Sequence, residues 1–363
     1  MDEITQVTIV GLGLVGGSVA MALSQGRIVE RVIGVDKDPE ALRIALHTHA
    51  VNSATKDLKE GLKGSDLVIL ATPLSTMYAL APKMKPHLKE GCIVTDVGST
   101  KEYLVKELEH ILHPNIRYVG GHPMAGSERG GIQAADRYLF ENAVYILTPT
   151  INSEQQAVSL LKNLLMKIGA RVLTMTPHEH DNIIATVSHL PHLAASALVN
   201  TAGYAPEVLN FAAGGFRDTT RVASSESALW RDILAQNSHR VLKALKRFEE
   251  QLVFLRECIE AEDFAEIERY LTNAKKLREH IPQKQKGFLP SIYEVVVTVP
   301  DRPGMIGEMA NILGKDDINI IDIEILRVRE GEGGTIRLGF QSFEIAQAAE
   351  KILRQKGIIA KVR

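Results

Sequence analysis

The fold of this chain is decided near its start, by the stretch Val7-Thr8-Ile9-Val10-Gly11-Leu12-Gly13-Leu14-Val15-Gly16. Four β-branched residues predict a strand, and a helical pattern begins at Ser18, just after the third glycine. In a strand–turn–helix of this kind, Gly11 allows the tight turn, Gly13 lets the backbone approach a pyrophosphate, and Gly16 lets helix and strand pack closely. The stretch therefore predicts a dinucleotide-binding turn at the N-terminus of a helix.

An acidic residue supports this interpretation against the alternative of a tight turn without a ligand. Asp36 ends the second predicted strand, twenty residues after Gly16. Its carboxylate can accept hydrogen bonds from both ribose hydroxyls and would repel a 2′-phosphate, which favours NAD over NADP. The neighbouring Lys37 leaves some tolerance for NADP open.

The chain divides into three regions and a linker. Up to residue 175, β-branched runs alternate with helical patterns, which predicts an α/β Rossmann-type doubly wound domain with a parallel sheet covered on both faces. Residues 176–280 show helical spacing throughout, for instance over residues 228–260, and enough apolar surface to predict an all-α dimerisation domain. Residues 281–290 are predicted to be a linker. Residues 291–363 follow a β-α-β-β-α-β order, which predicts a ferredoxin-like α+β domain.

Composition excludes several classes of protein. A net charge of −2 gives no electrostatic reason to expect binding to nucleic acid or to an anionic membrane. The two cysteines, Cys92 and Cys258, lie far apart and lack metal-ligand spacing, which favours a reducing, cytoplasmic location. The N-terminus shows no signal-peptide pattern, and no uninterrupted apolar stretch is long enough to span a bilayer.

Candidate site residues follow three of the predicted strands. Thr72 and Ser99 come after the runs at residues 67–71 and 93–97, at the sheet edge where such folds bind ligands. Either residue could instead cap the next helix, although we favour a ligand role for Ser99. Beyond Tyr118-Val119, the segment Gly120-Gly121-His122-Pro123-Met124-Ala125-Gly126-Ser127-Glu128 sets an imidazole and a carboxylate among small residues. We predict that His122 transfers a proton beside the hydride acceptor, the alternative being a loop histidine without a role.

The helical region adds further histidines and an arginine. His189 and His192 lie three residues apart, on one helix face, where they could bind a metal, but no third ligand stands out and we predict no metal. We interpret His178-x-His180 as a polar loop and helix cap. Arg221 ends the segment Gly214-Gly215-Phe216-Arg217-Asp218-Thr219-Thr220-Arg221 and could grip a carboxylate through two parallel hydrogen bonds. A structural pair between Arg221 and Asp218 is the equally weighted alternative.

In chain order, these motifs resemble the prephenate dehydrogenase family. The resemblance is carried by the glycine turn, by residues 96–101 and 121–128, by Ser188 to His192, and by residues 216–221 with Trp230. It implies NAD-dependent oxidative decarboxylation of prephenate to 4-hydroxyphenylpyruvate. It also implies the following roles: His122 receives a hydrogen bond or proton from the C4 hydroxyl, Ser99 bonds the same hydroxyl or orients the imidazole, Arg221 anchors a carboxylate, His192 and His189 line the pocket, and Glu128 gates it or sets its charge.

The third region resembles an ACT domain, in which Pro300-Asp301-Arg302-Pro303-Gly304 enters the first helix. The resemblance implies feedback inhibition by tyrosine, with Gly304 and Asn319 as effector contacts, or else a plain helix-entry turn at Gly304. We expect a homodimer. Two alternatives remain at this stage: an arogenate or cyclohexadienyl dehydrogenase, and a non-catalytic amino-acid-sensing protein. The presence of His122, Ser99 and Arg221 together argues against a mere sensor.

Overall fold

The computed structural model describes residues 3–126, 130–281, 293–300, 302–326 and 334–362. The chain forms two compact units, Met1–Ile281 and Pro282–Arg363. In the first unit, the strands of the large sheet are β1 Gln6–Val10, β2 Arg31–Val35, β3 Ser53–Thr55, β4 Leu67–Leu70, β5 Ile93–Asp96, β6 Arg117–Pro123, β7 Val144–Thr148 and β8 Arg171–Thr174. The helices between them are α1 Leu14–Gln25, α2 Pro39–His47, α3 Leu58–Leu62, α4 Leu74–Met84, α5 Glu102–Leu112 and α6 Gln155–Lys167.

The sheet has the order β3-β2-β1-β4-β5-β6-β7-β8. After β3 the chain crosses to the other side of β1, which creates the switch point where doubly wound folds bind dinucleotides. All neighbouring strands are parallel except β6 and β7, which are antiparallel. The prediction of a wholly parallel sheet is therefore wrong at this pairing. Among the described residues between β6 and β7, the one helical element is a short 3₁₀ helix, Ile132–Ala134, and an antiparallel pair needs no helical crossover.

Both faces of the sheet are covered, as the sequence predicts. Val7, Ile9 and Leu67 belong to one buried cluster, together with residues of α1 and α6. Val68 and Leu70 belong to the other cluster, with residues of α4 and α5. The strand residues are apolar on both faces because both faces are buried, and this explains their continuous apolar runs.

The rest of the first unit is helical, as predicted: α7 Pro177–Ile184, α8 Leu190–Ala202, α9 Gly214–Thr220, α10 Ser227–Gln236, α11 Ser238–Glu260 and α12 Phe264–Glu279. The predicted stretch at residues 228–260 is interrupted at Asn237, between α10 and α11. α10 contacts α4 and the start of α5, since Gln236 accepts hydrogen bonds from Tyr78 (3.2 Å) and Thr100 (2.8 Å).

One helical run, Pro177–Ala202, has the length and mean hydropathy of a membrane span. The run is interrupted by polar side chains, among them Asp181 and His189, which are both buried. A helix of a globular protein can pass the same test of length and hydropathy, and 28% of this run is buried within the structure.

The second unit contains β9 Tyr293–Val299, α13 Met305–Lys315, β10 Asp322–Leu326, β11 Gly334–Phe340, α14 Phe343–Gln355 and β12 Ile359–Val362. Its antiparallel sheet has the order β10-β11-β9-β12, which confirms the predicted ferredoxin-like fold. Valines of β9 pack with Met309, Leu313 and Leu353 of the two helices. Of the predicted linker, residues 282–290 lie outside the described part of the chain.

Candidate active site

The glycine turn is shaped to admit a phosphate group. Gly11 has a φ of +99°, and a Cβ there would lie 2.6 Å from the carbonyl oxygen of Ala71. A Cβ at Gly16 would collide with the carbonyl oxygen of Gly11. At Gly13, by contrast, a Cβ would meet nothing within 4 Å, and no side chain caps the helix that begins at Leu14. The turn is thus closed towards the sheet and open outwards, with free helix N–H groups for a pyrophosphate.

Asp36 and Thr72 lie beside this turn. The carboxylate of Asp36 accepts hydrogen bonds from the backbone N–H groups of Leu12 (2.6 Å) and Asp38 (2.9 Å), so it is held against the turn. Thr72 is half-buried, and its methyl carbon lies 2.9 Å from where a Cβ on Gly11 would be. Pro73 is the N-cap of α4, so the helix-cap alternative for Thr72 does not hold.

Glycines bring His122 close to the neighbouring strands. A Cβ at Gly120 would collide with Thr148 of β7, and one at Gly121 would lie 2.6 Å from the carbonyl oxygen of Asp96 in β5. His122 follows on β6 and is only 7% exposed. Burial, with the nearby His180, Lys101 and His189, holds the pKa of its imidazole well below 6.5. The ring is therefore neutral and able to accept a proton.

Behind His122 lies a pair of residues whose role the sequence analysis missed. Nδ1 of His122 lies 2.7 Å from Nε2 of His180, and Nδ1 of His180 lies 2.7 Å from Oδ1 of Asp181. The interpretation of His178-x-His180 as a polar loop and cap is wrong for His180, which is fully buried in α7. The signal that could have placed it is the capping box of Thr176 and Glu179, which fixes where α7 begins.

A buried ion pair lies next to the strand segment that carries His122. Lys101 and Asp96 are both 0% exposed and form a salt bridge. Asp96 also accepts hydrogen bonds from the Tyr118 hydroxyl (2.7 Å) and from the backbone N–H groups of Gly98 (2.7 Å) and Gly121 (3.3 Å). Burial lowers the pKa of Lys101 while the charge of Asp96 opposes that shift. This network ties β5 to the glycine segment that carries His122.

Ser99 is half-buried in the loop between β5 and α5. The helix-cap alternative does not hold here either, because the first N–H groups of α5 donate to a side chain of α7 rather than to Ser99. The carboxylate of Asp181 accepts hydrogen bonds from the N–H groups of Lys101 (2.8 Å) and Glu102 (2.9 Å). The Ser99 hydroxyl is thus left available for a ligand.

His189 and His192 flank Trp230. A π-helical turn, Ala185–His189, precedes Pro191 and links α7 to α8. The ring of His192 stacks on Trp230 at a centroid distance of 3.6 Å, and His189 meets the same ring edge-on at 5.9 Å. Burial lowers the pKa of His189 to about 4 and also lowers that of His192. Three ring nitrogens, Nε2 of His189 and both of His192, are buried without a hydrogen-bond partner in the described part of the chain.

The positions of the other predicted residues are as follows. Arg221 is exposed and lies at the C-cap of α9. Glu128 lies outside the described residues.

Gly304 has a φ of +90° at the start of α13, which by itself accounts for a glycine there. Asn319 is exposed and precedes β10, which begins at Asp322. Within the described ranges, no three His, Cys, Asp or Glu residues form a metal site.

The sheet order, the open glycine turn with Asp36, and a neutral buried histidine near the end of β6 in the same sheet define a dinucleotide-dependent dehydrogenase. The family model for the nucleotide-binding domain of prephenate dehydrogenase matches residues 19–174, and the model for its dimerization domain matches residues 176–285. An ACT domain model matches residues 293–354. The chain belongs to the prephenate dehydrogenase family, and it is an NAD-dependent oxidoreductase with a C-terminal ACT domain.

Individual relatives agree with this assignment. Prephenate dehydrogenase from Bacillus subtilis is 39% identical over 355 residues, which are 96% of each chain. Cyclohexadienyl dehydrogenase from Zymomonas mobilis is 34% identical over 80% of this chain and 97% of its own length. The structure of Aquifex aeolicus prephenate dehydrogenase with hydroxyphenyl propionate and NAD⁺ covers 77% of this chain and 99% of its own, with 36% identity and a TM-score of 0.72. The predicted family, fold class and NAD cofactor are confirmed.

Proposed function

We propose that this chain catalyses the oxidative decarboxylation of prephenate to 4-hydroxyphenylpyruvate. The observation that carries the proposal is the neutral, buried His122 near the end of β6, in the sheet that also carries the dinucleotide turn. NAD, when bound, accepts the C4 hydride. The ring carboxylate leaves as CO₂, and the electron pair of the broken bond enters the ring and completes the aromatic system. His122 accepts the proton of the C4 hydroxyl as the hydride leaves and returns it to the phenolic oxygen.

The remaining roles are those that the resemblance to the family implies. Ser99 bonds the C4 hydroxyl or orients the imidazole. Arg221 binds a substrate carboxylate, and His189 and His192 line the rest of the pocket. Glu128 gates this pocket or sets its charge. Gly11, Gly13, Gly16, Asp36 and Thr72 hold the NAD.

The direct test is NADH absorbance with purified protein, NAD, and either prephenate or arogenate. We expect NADH to form with prephenate. Formation with both substrates would indicate a cyclohexadienyl dehydrogenase, a specificity that the Zymomonas relative carries in its name. No NADH with either substrate would contradict the proposal and favour the amino-acid-sensing alternative.

We predict that Arg221→Ala raises the KM for prephenate by about 10- to 100-fold and changes kcat less, because a charge-assisted contact with a carboxylate is lost. Initial rates over a range of prephenate concentrations measure both constants. Arg43→Ala, which changes an exposed arginine of α2, is the control and should behave as the wild type does. A wild-type KM in Arg221→Ala would rule out the anchoring role.

We further propose a cytoplasmic homodimer that binds neither nucleic acid nor membranes. Apolar side chains stay exposed along α11 and α12, including Leu242, Leu252, Ile259, Phe264 and Leu271. A dimer interface over these helices would bury them, in agreement with the match to a dimerization domain. Sedimentation of the purified protein distinguishes a dimer from a monomer.

Tyrosine is the effector that we propose for the ACT domain. We predict that tyrosine inhibits the full chain and that Asn319→Ala weakens this inhibition, since an exposed amide in front of β10 is lost without disturbing the core. Tyrosine titrations of NADH formation give the inhibition constants. Asn311→Ala, an exposed asparagine of α13, is the control. A chain that ends near Pro290 should be insensitive to tyrosine, and equal sensitivity there would exclude the ACT domain as the sensor.

A further inference from the structure

Three side chains form a continuous hydrogen-bonded row that runs inward from the site. His122 contacts His180 through Nδ1, and His180 contacts Asp181 through its own Nδ1, each at 2.7 Å. His180 and Asp181 are 0% and 1% exposed. Water therefore has little access to these groups, and the protons within the row are set by the three side chains themselves.

The inner end of the row is an ionised carboxylate. Burial alone raises the pKa of Asp181, but hydrogen bonds from His180, Glu102 and Lys101 together hold it below its ordinary value. The N–H groups of Lys101 and Glu102 lie at the N-terminus of α5, and a helix N-terminus also favours a negative charge. An ionised carboxylate carries no proton, so it can only accept hydrogen bonds.

The direction of every hydrogen bond in the row follows from this carboxylate. Because Asp181 accepts, Nδ1 of His180 carries the proton. Burial lowers the pKa of His180, so its ring is neutral, has one N–H, and accepts at Nε2. Nδ1 of His122 must then be the donor, which leaves Nε2 of His122 without a proton. The contact with His180 uses Nδ1 of His122, so Nε2 is the ring nitrogen that is not engaged in the row.

We propose that Asp181 and His180 are positioning residues that hold His122 in its Nδ1-protonated form, so that Nε2 receives the substrate proton. In the step, the O–H bond at C4 breaks, an N–H bond forms at Nε2, and the electron pair stays on oxygen. The imidazolium so formed lies near the ammonium group of Lys101, which opposes it. Asp181 offsets this through His180, because its negative charge stabilises the protonated row. The statement that the proton comes from the C4 hydroxyl rests on the proposed function. The assignment of the His122 proton to Nδ1 does not.

Nitrogen NMR of the full-length protein with ¹⁵N-labelled histidine tests the ring form directly, since protonated and unprotonated ring nitrogens have well-separated shifts. His122→Asn and His180→Gln assign the two signals. We expect both rings to be protonated at Nδ1 and unprotonated at Nε2, without substrate. A His122 ring protonated at Nε2 would overturn the proposal. If the rings have the expected form but neither prephenate nor arogenate is oxidised, the proposed function fails and the positioning role stands.

Kinetics of variants at His180 test whether this positioning of His122 affects kcat. We expect His180→Leu, which cannot accept from Nδ1 of His122, to lower kcat by about 10- to 100-fold with little change in either KM. His180→Gln, whose side-chain oxygen can accept that hydrogen bond, should recover most of the loss. His178→Leu, an exposed histidine on the same helix, is the matched control and should keep the wild-type kcat. Wild-type kcat in His180→Leu, or equal losses in Leu and Gln variants that fold, would contradict the role.

Discussion

We expect His122→Asn to lower kcat for prephenate by about 10²- to 10⁴-fold while the Kd for NAD⁺ stays within about twofold of the wild-type value. The amide nitrogen of asparagine can still donate to His180, so the buried neighbours keep a partner. No group remains, however, that can accept a proton from the C4 hydroxyl. NAD⁺ affinity is preserved because the glycine turn and Asp36 lie on other strands. Steady-state rates at saturating prephenate measure kcat, and displacement of bound fluorescent NADH by NAD⁺ measures the Kd for NAD⁺.

The matched control for this variant is His110→Asn, which changes an exposed histidine on α5. It should leave kcat unchanged. Equal kcat values for His122→Asn and the wild type would refute the proton-acceptor role. A parallel loss of NAD⁺ binding would instead mean that the substitution disturbs the sheet edge as a whole.

The second large effect concerns stability. We expect Lys101→Met to destabilise the first unit by about 3–5 kcal/mol, because Asp96 would remain charged, fully buried and without its counter-ion. The hydrogen bonds from Tyr118, Gly98 and Gly121 to Asp96 remain but do not neutralise it. Urea unfolding, followed by the fluorescence of the single tryptophan, Trp230, reports the shift in the midpoint.

A double variant separates the pair from its individual members. Lys101→Met combined with Asp96→Asn removes both charges, so it should be more stable than Lys101→Met alone. Arg43→Met, in an exposed pair with Glu40, is the control and should barely move the midpoint. A wild-type midpoint in Lys101→Met would show that the ion pair adds nothing to stability.

Much of the molecule is predictable from local patterns. The β-branched run before Gly11 and the helix after Gly16 set the dinucleotide turn, because strand, turn and helix are adjacent in sequence. Asp36 is predictable as well, since the second strand of such a fold ends beside the turn. The small C-terminal domain follows from the order of its elements for the same reason.

Other features depend on residues that are distant in sequence. The antiparallel β7 depends on how the chain after His122 returns to the sheet, and no local periodicity records that path. Thr72 and Ser99 are plausible helix caps by composition, yet the cap of α5 comes from Asp181, about eighty residues away. His180 has the local setting of a polar helix start, and only the packing of α7 against α5 buries it.

The sequence by itself determined the Rossmann-type fold, the NAD site and His122 as the candidate base, because these depend on residue types at fixed local spacing. The tertiary structure alone decided which groups surround His122. It brought His180 and Asp181 behind the ring and Lys101 beside it. The physical reason is that the charge and tautomer of an imidazole depend on burial and on contacts across the fold, and such contacts arise only when separate elements pack together.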